Sequence, residues 1–300
     1  MKTLIVIGGP TASGKTSLAI QVAQYLNTSI LSADSRQCYR ELNIGVAKPT
    51  TEELASVPHY FINSHSIFDD VSAGVYERYA LETLEQVFAS SNFAVCVGGT
   101  GLYLKALCDG IDEMPAVDPN IDQEINAMFR QHGLNWLQTA LKDSDPEAAS
   151  QIDLQNPMRI IRALVFHRST GKSILTFKQH QKKIRPFNIL QFAIDLPRET
   201  LYQRINTRVD MMMQEGLLQE VEQLQTAQHL KSMQTVGYTE LFNYLNHQIS
   251  LEQAIDKIKQ HSRNYAKRQV TWFKHQPDYI WLPGENILKT VMKRFDNTNI

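Results

Sequence analysis

Gly9-Pro10-Thr11-Ala12-Ser13-Gly14-Lys15-Thr16 is the stretch that decides the fold, because it satisfies the P-loop pattern G-x-x-x-x-G-K-[ST] at every defined position. The apolar residues 4–7 before it predict a buried strand, and residues 16–26 after it have the apolar spacing of an amphipathic helix. A strand, such a loop and a helix predict a cradle of backbone N–H groups that binds a diphosphate or a triphosphate. In this cradle the Lys15 ammonium reaches the terminal phosphate and the Thr16 hydroxyl ligates Mg²⁺. The pattern does not choose between ATP and another diphosphate.

Strand and helix patterns alternate through the rest of the first 114 residues. Strands are predicted over 29–32 and 93–97, and helices over 75–88 and 102–107. This alternation is typical of an α/β protein with a parallel, P-loop NTPase-like sheet flanked by helices. Ligands of such sheets bind at the carboxyl ends of the strands. The P-loop, Asp34 and Thr100 each follow a predicted strand, so we expect them to converge on one crevice.

A helical insertion interrupts this pattern. Helices are predicted over 118–131, 134–141, 146–152 and 157–168, with no strand between them. A strand over 189–195 follows, then helices over 198–213, 217–224 and 250–274 and a last strand over 279–282. We therefore predict a core made of residues 1–114 and 188–300, and a helical insertion domain at 115–187.

Composition excludes several classes of protein. The 300 residues are 43% hydrophobic and 20% charged, as in an ordinary globular protein, and no apolar run approaches the roughly 20 residues of a membrane span. The three cysteines are widely spaced without a C-x-x-C pair, which argues against a disulfide framework and a cysteine zinc site. No secretory pattern precedes the first strand. We expect a cytoplasmic protein without a membrane partner.

Charge is segregated along the chain. The net charge is −1, yet residues 157–188 contain eight basic and no acidic residues, which leaves −9 elsewhere. The C-terminal helix adds Arg263, Lys267 and Arg268, with Tyr265 beside them. This pattern favours a polyanion such as a nucleic acid, with aromatic rings available for stacking. The alternatives are a solvated surface and, for the Trp272 and Phe273 rings, a place in the core.

Two side chains at strand ends are candidates for chemistry. Asp34 could bind Mg²⁺ through water, act as a general base, or cap the following segment. Thr100, within Gly98-Gly99-Thr100-Gly101, could donate to a phosphate oxygen, and it could also cap the following helix. Arg204 and Arg208, four residues apart on one predicted helix, could clamp a diphosphate.

Several motifs occur in one order along nearly the whole chain. They are 9–16 (GPTASGKT), 33–35 (ADS) followed by Tyr39, 43–49 (NIGVAKP), 58–59 (PH), 97–103 (VGGTGLY), 156–164 (NPMRIIRAL), 236–238 (VGY) and 266–273 (AKRQVTWF). In this combination the chain resembles the bacterial tRNA dimethylallyltransferases, also called tRNA isopentenyltransferases.

The resemblance implies a reaction and its partners. It implies transfer of a dimethylallyl group from dimethylallyl diphosphate to N6 of the adenosine adjacent to the anticodon in tRNA, with release of diphosphate. It also implies that this base is flipped out of the anticodon stem-loop into the enzyme. Mg²⁺ is the expected cofactor, and we expect a monomer.

The resemblance also implies roles for individual residues. Asp34 would accept the N6 proton, Thr100 would lie at the bridging oxygen of the leaving diphosphate, and Arg208 would help to hold that diphosphate. The residues expected to contact tRNA are Asp34, Ser35, Arg36, Gln37, Met158, Arg159, Ile160, Ile161, Arg162 and the 235–238 region, together with Arg263, Lys267 and Arg268 of the basic helix.

Two positions depart from the family pattern, and three rival functions stay open. Asp122 stands where the family often has Arg, and Val165 stands where it usually has an acid. These departures put local tRNA contacts in question. The rivals are a metabolite kinase that uses ATP, a non-catalytic RNA-binding NTPase, and a prenyltransferase acting on free adenine nucleotides. The basic insertion disfavours the kinase and the prenyltransferase of free nucleotides. The RNA-binding NTPase would leave Asp34 and Thr100 without a role.

Overall fold

The computed structural model describes residues 2–177, 181–283, 288–289 and 292–293. In these residues the chain divides into two compact units. The core unit comprises Met1–Cys108 with Ile184–Ile300, and the helical unit comprises Asp109–Lys183. Both boundaries lie a few residues before the expected ones at 114/115 and 187/188. The Arg185 guanidinium bonds to the backbone oxygens of Leu107 and Ala106 and to Glu77, which joins residues 184–187 to the core unit.

A six-stranded parallel sheet is the centre of the core unit. Its strands are β1 (Thr3–Gly8), β2 (Ile30–Ser32), β3 (His59–Tyr60), β4 (Phe93–Gly98), β5 (Asn188–Ile194) and β6 (Tyr279–Leu282), in the order β3-β2-β4-β1-β5-β6. The predicted strands are confirmed, and β3 is an additional short one. β1 is buried along its whole length. Its continuous apolar run is typical of a parallel strand that is covered on both faces. Gly8 pairs with Gly98 on one side and with Ala193 on the other, so β1 and β4 end level and β5 runs one residue further.

The helices are α1 (Lys15–Tyr25), α2 (Thr51–Ser56), α3 (Ala73–Ser90), α4 (Gly101–Asp109), α5 (Pro119–Ser144), α6 (Pro146–Gln151), α7 (Pro157–Thr170), α8 (Arg198–Gln214), α9 (Leu217–Gln223), α10 (Tyr238–Leu245) and α11 (Leu251–Lys274). Helices pack on both faces of the sheet over separate apolar clusters, one containing Tyr76, Leu104 and Phe273 and the other Ile5, Leu18 and Val95. This is the predicted α/β architecture. In the described part of the chain, no helix has the length and apolar character that a membrane span requires.

The helical unit has its own apolar core. Its helices α5, α6 and α7 begin at Asp118-Pro119, Asp145-Pro146 and Asn156-Pro157. In each pair the Asp or Asn side chain accepts a backbone N–H of the first turn, and the proline occupies the position where no N–H is needed. Gly133, at φ +73° and ψ −166°, interrupts α5 where the sequence predicts two separate helices. Residues such as Ile125, Leu141 and Leu164 fill the core.

The three cysteines, Cys38, Cys96 and Cys108, are buried in the core unit and are not joined by disulfides. Burial is the main cause that raises the pKa of both Cys38 and Cys96 to about 12. Val165, which departs from the family pattern, is buried in the apolar core of the helical unit. A carboxylate at this position would be costly, so valine suits the surroundings that this chain provides.

Candidate active site

The P-loop follows β1 and leads directly into α1. Gly9 has φ +155°, Ala12 +63° and Gly14 +88°, so the backbone turns repeatedly through conformations that favour glycine. A side chain at Gly9 would place its Cβ 3.1 Å from Ser13 Oγ, and Gly14 is the N-cap of α1. Gly9–Thr16 therefore form a tight loop at a helix N-terminus, which is the geometry of an anion cradle.

Two side chains of this loop are suited to binding an anion. The Ser13 hydroxyl is buried and has no hydrogen-bond partner among the described residues. Lys15 Nζ donates to Pro10 O at 3.2 Å across the loop. Burial lowers the pKa of Lys15 to about 8; nearby Asp34 opposes this shift and Arg208 adds to it. A buried cation and an unpaired buried hydroxyl both gain from a bound phosphate oxygen.

Asp34 lies in the turn after β2. Its Oδ1 accepts N–H from Arg36 at 2.9 Å and from Gln37 at 3.3 Å, so the capping role is present. Its Oδ2 accepts no hydrogen bond from any residue that the structure describes. The carboxylate is thus held in place by one oxygen while the other is available for a ligand.

Thr100 is bonded to the same turn. Its Oγ1 accepts the Ser35 N–H at 3.0 Å and lies 3.3 Å from Ser35 Oγ, while its own N–H donates to Ala33 O at 3.2 Å. A Cβ at Gly98 would lie 2.2 Å from Ala33 O, so only glycine lets β4 approach the turn this closely. Burial and the charge of Asp34 raise the pKa of the nearby Tyr265 hydroxyl to about 12, and the Thr100 side chain opposes this shift. Asp34 and Thr100 thus lie close together, as expected, although Thr100 is not among the residues that line the cavity beside the P-loop.

A cavity of about 960 Å³ lies against the P-loop in the core unit. The predicted residues that line it are Thr11, Ala12, Gly14, Lys15, Thr16, Asp34, Gln37, Arg204 and Arg208. Arg208 Nη1 lies 3.5 Å from Thr11 Oγ1, which places this guanidinium beside the loop. Burial lowers the pKa of Arg208 and the charge of Glu53 opposes this shift. Ammonium, guanidinium and carboxylate groups therefore border one space.

One wall of this cavity is a segment whose support the sequence did not reveal. The 43–49 loop contributes Asn43, Ile44 and Val46–Pro49 to the lining. Glu220 of α9 accepts the Ile44 N–H at 2.7 Å and the Gly45 N–H at 3.2 Å, and also accepts from the Tyr238 hydroxyl at 2.5 Å. Gln37 Nε2 donates to Ala47 O at 2.8 Å from the other side. Glu220 lies about 175 residues away in sequence, so no local pattern could have indicated it.

The residues predicted to contact tRNA have different surroundings. On α7 of the helical unit, Met158, Arg159 and Arg162 are exposed, whereas Ile160 and Ile161 are buried in the unit's core. A buried side chain cannot meet a partner at the surface, so the prediction for these two isoleucines is corrected to a core role. The same correction applies to Tyr238, which is fully buried.

The basic helix α11 belongs to the core unit. Lys267 and Arg268 are exposed, and the Arg268 guanidinium lies 5.7 Å from the centre of the Tyr265 ring. Arg263 donates to Asn206 at 2.6 Å. Phe273 is fully buried, which confirms its core interpretation, and Trp272 is half-buried against Gly101.

A parallel sheet with a P-loop after β1, a threonine after the adjacent β4 and an acid after β2 defines the class: a P-loop NTPase-like α/β protein. The family model for IPP transferase matches residues 37–276. The chain belongs to the IPP transferase family.

Relatives and solved structures agree with this assignment. The chain is 46% identical to tRNA dimethylallyltransferase 1 of Phocaeicola vulgatus, over 93% of each chain. It is 44% identical to tRNA dimethylallyltransferase of Cytophaga hutchinsonii, over 95% of this chain and 94% of the relative. The structure of the full-length tRNA isopentenylpyrophosphate transferase of Bacillus halodurans matches with a TM-score of 0.73 at 33% identity, covering 99% of this chain and 96% of that one.

Proposed function

We propose that this protein transfers a dimethylallyl group from dimethylallyl diphosphate to N6 of the adenosine adjacent to the anticodon in tRNA and releases diphosphate. The observation that carries the proposal is that the Lys15 ammonium and the Asp34 carboxylate border one cavity. The names of the relatives indicate the substrates. The cavity offers the Lys15 ammonium for the diphosphate and the Asp34 carboxylate for the amine. A diphosphate needs cations and N–H donors, and an amine that loses a proton needs a nearby carboxylate.

The donor would bind in the P-loop. The backbone N–H groups, the unpaired Ser13 hydroxyl and Lys15 would hold the diphosphate, with Arg208 beside them. These donors stand in fixed positions before the reaction begins, so they stabilise the charge that builds up on the departing diphosphate without reorganising.

Mg²⁺ fits this site through oxygen ligands. The Thr16 hydroxyl and the Asp34 carboxylate line the cavity, and among the described residues no three His, Cys, Asp or Glu side chains cluster into a cage. Mg²⁺ typically uses one or two protein oxygens together with waters and substrate phosphates. The Thr16 hydroxyl would be such a ligand, and a bound Mg²⁺ would supply positive charge for the leaving diphosphate.

Asp34 would act as the base at the acceptor end. The adenine amine is a weak nucleophile, and its nitrogen forms a bond to C1 of the dimethylallyl group while the bond from C1 to the diphosphate oxygen breaks. The electron pair of that bond leaves with the diphosphate, and the proton of N6 passes to Asp34. The two hydrogen bonds at Oδ1 would hold the carboxylate in position during this step.

Thr100 would act at the leaving oxygen. Its hydroxyl is bonded to Ser35 in the turn that contains Asp34, and a hydrogen bond from it to the bridging oxygen would strengthen as that oxygen becomes negative. Residues of two hydrogen-bonded turns, one after β2 and one after β4, would thereby serve the two ends of the bond exchange.

The tRNA would bind as its anticodon stem-loop. The exposed basic side chains Arg159, Arg162, Lys267 and Arg268 suit the phosphates of an RNA, and the target base would be flipped out to reach Asp34. Ser35, Arg36 and Gln37 would lie close to that base because they follow Asp34 directly. We further propose a monomer that works in the cytoplasm, where the buried thiols would stay reduced.

The test uses the full chain, Mg²⁺, an unmodified tRNA transcript with adenosine after the anticodon, and dimethylallyl diphosphate labelled in its prenyl group. One label per tRNA is expected at N6 of that adenosine, located by nucleoside mass spectrometry, without any need for ATP. The matched control is a transcript with guanosine at that position, which should gain nothing.

Each rival function gives a different result. Label from the γ-phosphate of ATP in a product, without prenyl transfer, would support a kinase. Transfer to free AMP but not to tRNA would support the sibling prenyltransferase. Tight tRNA binding without either transfer would support an RNA-binding NTPase.

A further inference from the structure

A single buried glutamine joins the two loops that contain the functional groups of the core unit. Gln269 lies on α11 and is 7% exposed. Its Oε1 accepts the Thr11 N–H of the P-loop at 2.9 Å. Its Nε2 donates to Gly99 O, one residue before Thr100, also at 2.9 Å. The amide therefore bridges the P-loop and the loop after β4.

The surrounding glycines show how closely α11 approaches these loops. A Cβ at Gly99 would lie 2.2 Å from Gln269 Nε2, one at Gly101 would lie 2.3 Å from Trp272, and one at Gly8 would lie 2.3 Å from Phe273. α11 thus packs on the ends of β1 and β4 through three neighbouring contacts, of which Gln269 provides the polar one. A buried amide whose acceptor and donor are both used has one orientation, so it fixes the separation of its partners.

This bridge continues into the proposed reacting groups on both sides. On the P-loop side, Thr11 Oγ1 lies beside Arg208 Nη1. On the other side, Thr100 follows Gly99 and bonds to Ser35 next to Asp34. Because Gln269 already occupies the Thr11 N–H, that amide does not serve the diphosphate, and its role is to hold the loop.

We propose that Gln269 is a positioning residue that sets the distance between the diphosphate cradle and Thr100. This inference rests on the proposed function. Without the bridge, the leaving oxygen and the Thr100 hydroxyl would lose their alignment. A misplacement of about 1 Å can cost about 10²-fold in rate, so the effect falls on the transfer step rather than on tRNA binding.

Gln269→Met tests this role, since methionine has a similar length and makes neither hydrogen bond. With saturating tRNA and donor, its single-turnover rate should fall about 10- to 100-fold. The dissociation constant for tRNA should stay within about two-fold. The matched control is Ile258→Val, at a buried position of α11 three turns earlier, which should keep nearly the full rate.

A double-mutant cycle separates alignment from a general loss of packing. If Gln269 acts through Thr100, then Gln269→Met should slow the Thr100→Ala enzyme far less than the wild type. Gly99→Ala should behave in the same way, because its methyl group would displace the Gln269 amide; this variant serves if Gln269→Met does not fold.

Gln269→Glu adds a readout in pH. A protonated carboxyl can donate to Gly99 O and accept from Thr11 N–H, whereas a carboxylate repels the Gly99 oxygen. The rate of Gln269→Glu relative to wild type should therefore rise as pH falls.

Three outcomes of these experiments distinguish the positioning role of Gln269 from the proposed function. An active wild type with a non-additive cycle supports the inference. A wild type with full activity whose cycle is additive, or whose Gln269→Met rate loss does not exceed that of Ile258→Val, overturns the inference alone. A wild type that transfers no prenyl group overturns the proposed function, and the inference with it.

Discussion

Several polar side chains around the cavity of the core unit are held in place by hydrogen bonds to backbone groups, whereas Arg159 and Arg162 of α7 in the helical unit face solvent. Asp34 bonds to the backbone of its own turn, and Thr100, Glu220 and Gln269 each bond to the backbone of a segment that is distant in sequence. Arg159 and Arg162, in contrast, are exposed, and the Arg162 guanidinium bonds only to Met114 Sδ among the described residues. The first arrangement fixes geometry for chemistry, and the second presents charge to a partner.

This contrast predicts that substitutions in the two units affect different measured quantities. A change at the cavity should lower the rate of transfer, because its effect comes through alignment and proton transfer. A change on α7 should alter the salt dependence of binding, because exposed charges act through counterion release.

Asp34→Asn is expected to have the largest effect. Asparagine keeps the acceptor for the Arg36 and Gln37 N–H groups, but it cannot take up a proton as a base. Turnover should fall about 10²- to 10⁴-fold while the tRNA dissociation constant changes little. Prenyl-label kinetics and filter binding measure the two quantities. The exposed Asp70→Asn is the matched control, and equal losses of rate and affinity would make Asp34 a binding residue instead.

Lys15→Met should weaken donor binding next most strongly. It removes a charge-assisted hydrogen bond of about 1.5–3 kcal/mol, so the dissociation constant of dimethylallyl diphosphate should rise about 10- to 150-fold. The exposed Lys105→Met is the control, with unchanged donor affinity expected.

The same residue predicts a pH dependence. The pKa of Lys15 is lowered to about 8, so the ammonium is present below that pH and is lost as pH rises through it. Wild-type donor affinity should therefore decline above about pH 8, and Lys15→Met should show no such decline. Calorimetric titration with the donor across pH 7–9.5 checks this, and an identical decline in both proteins would exclude Lys15 as its cause.

Arg159→Ala and Arg162→Ala should have the smallest effect on catalysis. Each should reduce the slope of log binding constant against log salt by roughly 0.7–0.9, while transfer at saturating tRNA is preserved. Lys142→Ala removes the same charge from the C-terminal turn of α5 and is the control. An unchanged slope in the double variant would mean that these arginines lie away from the RNA, and the contrast between the units would then lose its functional meaning.

Much of the fold could be predicted because its signals are local. Continuous apolar runs predicted β1, β4 and β5, and the Asp-Pro and Asn-Pro pairs stand where α5, α6 and α7 begin. β3 was missed because a two-residue strand has no periodicity. α2 was also missed, although Thr50 and Glu53 form its capping box and provided a signal.

The site could be predicted only in part, because only some of its residues have a local signal in the sequence. Asp34 and Thr100 were found because ligands of parallel sheets bind at strand ends. The residues that support them could not be found, because Gln269 contacts Thr11 and Gly99, which lie 258 and 170 residues away in sequence. Such pairs depend on the packing of α11 against the sheet, and no short window of sequence records that packing. The prediction for Ile160 and Ile161 is wrong because a motif on a helix does not form one surface: with 3.6 residues per turn, some of its positions lie on the buried face.

The buried thiols have a practical consequence. Burial raises the pKa of Cys38 and Cys96 to about 12, so these thiols stay protonated at neutral pH, whereas the thiolate is the species that reacts with alkylating agents and oxidants. Cys108 is buried as well. A cysteine introduced on the exposed surface, for example at Lys142, should therefore take up a maleimide dye selectively in the otherwise unaltered chain. Fluorescent reporters could then be attached to either unit without first removing the native cysteines.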